Sequence, residues 1–276
     1  MCHGLCSNTK AFVSWKSQET IADNRRACGG HGYAKSALFD EILNINDLNQ
    51  TWEGDNHVLI MQTQQFLFKC MKWLGEGDDL PETVEFLSLS PPDLGEISTN
   101  IHDLNGLIEL FSVRANFYVH RASLEMMKDP TKVAEHFDKL QSFELFDMCQ
   151  GYHDIYLIDS FSKWINTITD SSTRAIYQKF LMVHMHKKIL ESPLFFTQTL
   201  GDDKIDEVKL SLIKSLKELR KDIIPLTDVT PFPNSMTGAL GNEDLQIYDR
   251  ILQHVQATPK VTERADWWKL AYTNSK

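Results

Sequence analysis

The sequence predicts an all-α protein, for three reasons. Apolar residues recur three and four positions apart rather than in alternation, as they do in helices with one buried face. Glycine (13) and proline (9) are sparse among 276 residues, which leaves long stretches uninterrupted. A content of 42% hydrophobic and 24% charged residues belongs to a chain that buries a core, not to a disordered one.

Taken in order, the chain opens with a helix ending near Ala27, a glycine turn, a mixed segment from Ser36 to Gln50, and a helix from Asp55 to about Leu74. Between Gly75 and Asn100 the periodicity is lost: Gly75, Gly77 and Pro81 are followed by Pro91, Pro92 and Gly95, so two domains are expected, 1–78 and 79–276. Beyond the boundary Leu104, Leu107, Ile108, Phe111, Ala115, Tyr118 and Ala122 draw one apolar stripe, predicting a helix from His102 to Lys128. Further helices are expected over Thr131–Thr169, Ser171–Glu191, Asp203–Ile223 and Glu243–Gln256. The fourth of these five carries Ile205, Val208, Leu212, Leu216, Leu219 and Ile223. It begins with Asp202-Asp203 and ends with Lys221, the signs a helix dipole favours, before Ile224-Pro225 stops it. Thr227 to Asn242, with Pro231, Pro233, Gly238 and Gly241, reads as a long surface loop.

Composition excludes several functions. Lys+Arg 28 against Asp+Glu 38 gives a net charge of −10, with no basic footprint for nucleic acid. No run approaches the roughly eighteen apolar residues of a membrane span, and Lys10 and Lys16 fall where a secretory signal needs its apolar stretch. Cys2, Cys6, Cys28, Cys70 and Cys149 are odd in number and lack framework spacing, as expected of free thiols in a reducing compartment. Cys2, His3 and Cys6 have no second pair at finger spacing, so no metal is expected there.

Two segments can carry chemistry. In Cys28-Gly29-Gly30-His31-Gly32-Tyr33 three glycines in four positions let the backbone approach another group closely, or simply stop the helix; no Gly-Lys-Ser/Thr follows, so this is not a phosphate loop. In Thr51-Trp52-Glu53-Gly54-Asp55-Asn56 a glutamate sits just before a helix. Beside Trp52 desolvation would raise its pKa, and the helix dipole would lower it. It is either a general base or a capping carboxylate.

Together, Arg25-Arg26-Ala27-Cys28-Gly29-Gly30-His31-Gly32-Tyr33 and, some twenty residues on, Thr51-Trp52-Glu53-Gly54-Asp55-Asn56-His57-Val58-Leu59 with Gln62-Thr63 resemble the acyl-CoA oxidase family of flavoenzymes in order, spacing and residue type. The more distant acyl-CoA dehydrogenases share the Gly-Gly turn and the aromatic-Glu-Gly segment. The resemblance continues more weakly to the end of the chain, through Thr237-Gly238-Ala239-Leu240-Gly241.

That resemblance implies residues 1–78 to be the C-terminal part of a flavin-binding helical domain and 79–276 a second helical bundle. It implies FAD as cofactor, fatty acyl-CoA as substrate and peroxisomal β-oxidation as setting. Glu53 would take the proton alpha to the thioester while a hydride leaves the beta carbon for the flavin, giving trans-2-enoyl-CoA, with dioxygen then reduced to hydrogen peroxide. The Glu53 amide would help hold the thioester oxygen, and Trp52, Glu53 and Gly54 would face the substrate. Gly29, Gly30, His31 and Gly32 would approach FAD, often that of the other subunit of a dimer, and Asp55 and Asn56 its nucleotide portion at a helix N-terminus. A homodimer, or association with another acyl-CoA oxidase chain, follows.

The sequence also departs from the family. Asp55 is a carboxylate where a phosphate is expected. Trp52 is larger than the usual aromatic and either narrows the acyl channel or packs. Met1 falls where a family member would be midway, so a chain without the preceding β-domain should hold FAD poorly, and a non-catalytic helical partner derived from an oxidase is the alternative. The tail Asn274-Ser275-Lys276 stops short of a Ser-Lys-Leu address. His184 and His186, two apart, point to different sides of a helix, cannot share a metal, and are expected at the surface or its rim. Trp267-Trp268 either packs or meets a partner chain.

Overall fold

The computed structural model describes residues 2–90, 99–141, 144–230, 232–233, 236–242 and 244–273, and every regular element among them is helical. Pro91, Pro92 and Gly95 of the expected boundary, Pro231, Glu243 and the tail Asn274-Ser275-Lys276 lie outside the described residues. In chain order the α-helices are α1 (Cys2–Ala27), α2 (Phe39–Leu48), α3 (Asn56–Glu76), α4 (Leu104–Met127), α5 (Val133–Gln141), α6 (Glu144–Thr167), α7 (Ser171–Glu191), α8 (Pro193–Leu200), α9 (Asp202–Leu219), α10 (Ile223–Asp228), α11 (Ile247–Ala257) and α12 (Trp268–Thr273). They form two compact units, one of Met1–Val13 with Gln50–Val229, the other of Ser14–Asn49 with Thr230–Lys276.

The core of the first unit is the α4–α6 pair. The predicted stripe buries Leu107, Phe111, Ala115, Tyr118 and Ala122 against Leu145, Met148, Tyr152, Ile155 and Ile158 of α6. The helices approach closely because α6 has Gly151 at the crossing, where an added Cβ would lie 3.1 Å from Ala115 Cα. On the same stripe sits Arg114, fully buried, whose Nη1 donates to Asp154 Oδ2 of α6 at 2.7 Å. Lys188 of α7 reaches the other oxygen of Asp154 at 3.2 Å. The Arg114 guanidinium also faces the rings of Tyr118 and Phe196 at 5.8 and 5.6 Å. Asn8 Nδ2 of α1 donates to Cys149 O at 3.2 Å, and Asn116 Nδ2 donates to Phe86 O and Leu89 O. This last pair of bonds ties a 3-10 turn (Glu82–Ser88), with Val84 and Leu87 fully buried, to α4.

In the second unit α2 lies along α1. Asn46 Nδ2 donates to Gln18 Oε1 at 2.7 Å, and Gln18 Nε2 donates to Leu43 O. The Ala239 amide donates to Ser36 O at 2.7 Å, burying Ala239 and Ala37, so the predicted loop is not wholly a surface feature.

Several expectations are corrected. The mixed segment contains the helix α2, and the predicted Thr131–Thr169 helix is instead a 3-10 turn followed by α5 and α6. Pro225 does not stop the chain. After a 3-10 turn at Arg220–Asp222 it sits in the first turn of α10, where its missing N–H has no helical partner to lose. The last long helix starts at Ile247, and the short helices α8 and α12 were not foreseen. His186 is fully buried, its Nε2 2.9 Å from Ile101 O, because one side of α7 faces the core.

Two expected outcomes follow from this core. Asp154→Ala, which strands Arg114 without its counter-charge, lowers unfolding free energy by about 3–5 kcal/mol, whereas Arg114→Met with Asp154→Leu recovers most of it, as denaturant titration will measure. Burial against Phe12, whose ring stacks 5.0 Å away, pushes His153 down from 6.5 to about 4. The unfolded chain therefore binds the extra proton between those values. Stability is full above pH 6.5 and falls by about 3 kcal/mol as the pH drops to 4, and His153→Phe flattens that part of the profile.

Candidate functional site

The segment before α3 is a closed loop pinned by one ammonium. Lys10 Nζ of α1 donates to Gly54 O at 2.7 Å and to Asn56 Oδ1 at 2.8 Å. The Asn56 amide donates back to Gln50 O at 3.0 Å, and its buried side chain donates to Ala11 O. Asp55 caps the helix, its Oδ1 accepting from the His57 amide at 2.9 Å. The carboxylate that caps α3 is therefore Asp55, not Glu53.

Glu53 itself is exposed at the loop's turn with φ +55°, a left-handed conformation that costs a non-glycine residue on the order of 1 kcal/mol. Gly54 follows at φ +101°, where a Cβ would come within 3.0 Å of Leu59. Two consecutive left-handed residues turn the chain sharply, and the Lys10 bonds hold it there. Trp52, on the other side of Glu53, exposes about half its surface. Lys10 was legible in the sequence only as a break in an apolar run; nothing in local spacing announces a bond across 44 residues.

The glycine turn belongs to the second unit. Gly29–Tyr33 is a 3-10 turn entered at Gly29 with φ +58°. Its glycines differ in what they do. Gly32 is buried, and a Cβ there would lie 2.1 Å from Arg25 O, so packing demands glycine. Around Gly29 and Gly30 an added Cβ would meet nothing within 4 Å. Nothing within the chain requires glycine at Gly30, and its exposed backbone is open to solvent. His31 is exposed with its ring edge-on to Tyr248 at 5.7 Å, and the Arg25 guanidinium lies 4.3 Å over the Tyr33 ring. The structure thus brings Trp52, Glu53, Gly54, Asp55 and Asn56 together in one unit, and Gly29, Gly30, His31 and Gly32 in the other.

All five cysteines are free thiols. Burial pushes the Cys70 thiol up to about 11 and that of Cys149 higher, which leaves both unreactive. Among the described residues no His, Cys, Asp and Glu side chains group to hold a metal ion, and no helix is long and apolar enough to cross a membrane.

Residues 1–68 match the family described as acyl-CoA oxidase, C-alpha1 domain, and residues 103–274 the family described as acyl-CoA oxidase. The chain belongs to the acyl-CoA oxidase family. It is 24% identical over 264 residues to acyl-coenzyme A oxidase acox-1.4 of Caenorhabditis elegans, covering 93% of this chain and 39% of that protein. To human peroxisomal acyl-coenzyme A oxidase 1 it is 25% identical over 270 residues, covering 93% and 41%. The fold is that of acyl-CoA oxidase 3 from Yarrowia lipolytica, with a TM-score of 0.89, 23% identity and coverage of 98% of this chain and 40% of that one. It is also that of C. elegans acyl-CoA oxidase-2, solved with FAD, ascaroside-CoA and ATP, with a TM-score of 0.87, 21% identity and coverage of 98% and 41%. The chain spans about 40% of the length of the relatives it matches.

The two kinds of glycine separate by substitution. Gly32→Ala, forced against Arg25 O, costs about 1–3 kcal/mol of stability, whereas Gly30→Ala leaves the melting temperature unchanged or slightly raised; thermal unfolding of the two variants checks both.

Proposed function

We propose that this chain is the part of an acyl-CoA oxidase that brings the catalytic base, Glu53, and one edge of the flavin site to the desaturation of fatty acyl-CoA to trans-2-enoyl-CoA. The observation that supports it best is the conformation of Glu53: left-handed, exposed, relieved of any capping duty and held by the Lys10-pinned loop. Strain at a carboxylate persists where the surroundings over-determine it, and such places concentrate at functional sites.

In this reading residues 1–78 end the flavin-binding bundle and 79–276 form the second helical domain. The exposed Glu53 carboxylate takes the proton from the carbon alpha to the thioester. Its backbone amide donates to the thioester oxygen, which acidifies that proton, an effect typically worth roughly 3–4 kcal/mol per donor. Trp52 and Gly54 flank the acyl group. Asp55 and Asn56 set the position of the loop at the start of α3, on the nucleotide side. Gly29 and Gly30, with His31 and Gly32, offer backbone to FAD, that of a second chain in a homodimer or of another acyl-CoA oxidase subunit. The chemistry FAD supplies when bound is acceptance of the beta hydride and two-electron reduction of dioxygen to hydrogen peroxide. The setting is peroxisomal fatty acid β-oxidation, as the names of several relatives suggest for those proteins.

The test uses Glu53→Gln in an assembly that completes the flavin site. Flavin binding persists, and anaerobic bleaching by acyl-CoA slows by roughly two to four decades, the usual loss of a general base. Near-normal bleaching would overturn the assignment.

A further inference from the structure

We infer that the cleft between α6, α7 and the N-terminal part of α1 binds an uncharged aromatic molecule bearing a hydroxyl or amine. The cleft lies wholly in the first unit and measures about 450 Å3, within the roughly 300–1,000 Å3 of small-molecule sites and far above the voids that imperfect packing leaves. Phe161, Trp164 and Phe180 wall it. Phe161 stacks on Trp164 at 5.2 Å and meets Phe180 edge-on at 6.3 Å, and Tyr177 braces Trp164 at 4.9 Å. The rings hold one another in place, yet Trp164 and Phe180 stay 45% and 44% exposed, so their apolar surface is presented rather than consumed by the core.

Charge and polarity narrow the class of ligand. No lysine, arginine, aspartate or glutamate lines the cleft. Its two imidazoles are neutral at pH 7, because burial pushes His184 down and His153 down to about 4. A carboxylate or phosphate entering the cleft would therefore lose hydration and find no counter-charge. The lining is nonetheless not indifferent to polar groups. Thr9 Oγ1 and His153 Nδ1, both from residues of the lining, are buried without a hydrogen-bond partner in the chain, and His153 is only 8% exposed. Native proteins leave few such atoms. A hydroxyl and a neutral imidazole nitrogen can each donate or accept, so one hydroxyl or amine on the ligand satisfies either. A flexible alkyl chain would suit the apolar walls, but it loses rotamer freedom on entry and offers no ring face or edge to the three aromatics.

The inference does not rest on the role of Glu53, and its test requires neither FAD nor acyl-CoA. The probe is N-phenylnaphthylamine, an uncharged arylamine whose emission rises in apolar surroundings, titrated against the full chain. Saturable binding at a single site per chain is expected. Among competitors built on the same rings, naphthol displaces the probe several-fold better than naphthalene, through the added hydrogen bond, and naphthalenesulfonate displaces it at least roughly tenfold worse than naphthol. Ser160→Trp, which fills the cleft from an exposed position, weakens probe binding at least roughly tenfold, whereas Glu53→Gln leaves it unchanged. Leu157→Gln, also on the lining, takes the place of Ser160→Trp if that variant loses helicity or melts early. His153→Phe narrows the preference for naphthol over naphthalene. Absence of saturable binding overturns the proposal, and so does binding indifferent to both cleft variants, which would place the probe elsewhere. Naphthalene or naphthalenesulfonate competing as well as naphthol overturns it too, since the class of ligand would then be wrong.

Discussion

The ion pair between Arg114 and Asp154 is the constraint on which the first unit depends. Both side chains are 1% exposed, so each charge is intolerable without the other. The pair fixes how far α4 and α6 slide along one another at the Gly151 crossing, and Lys188 brings α7 to the same carboxylate. Apolar contacts alone would hold these helices together in several registers; one buried, charge-assisted hydrogen bond favours a single one.

From that register a line of contacts runs to the candidate base. The position of α6 places the Cys149 carbonyl, which receives the Asn8 side chain of α1. Two residues on, Lys10 reaches the loop before α3 and fixes Gly54 and Asn56, between which and Trp52 the chain must turn through Glu53. The strain at Glu53 is thus sustained from a core more than sixty residues away in sequence. Glycine adopts positive φ at Gly54 freely, but Glu53 could not maintain a left-handed conformation by local preference, since glutamate has none for it.

Much of this was legible in the sequence because it is local. Helix existence follows from three-and-four spacing, and α1, α3, α4, α7 and α9 were expected close to where they lie. What spacing does not record is where a helix ends by a backbone detail. The start of α2 at left-handed Leu38, the division before α6 and the continuation through Pro225 all turn on single residues. Among the site residues, Trp52 to Asn56 and Gly29 to Gly32 stood out as segments, but their separate duties did not. That Asp55 caps, that Gly32 is packed while Gly30 is open, and that Arg114 hides a charge within an apolar stripe depend on residues tens of positions away, and pattern within a window of one helix cannot see them.

Lys10 bears on how substitutions in this chain should be judged. It is only partly buried, on a helix surface where burial alone forecasts tolerance. Yet it is one ammonium with two carbonyl partners, and its flexible stem and compact head let it reach both. A planar guanidinium has a different reach, and a neutral amide makes a weaker bond to one of them. An allele altered at Lys10 would look harmless by hydrophobicity, volume and exposure, and its defect would surface at Glu53, on another element, as a carboxylate intact in chemistry but wrongly aimed.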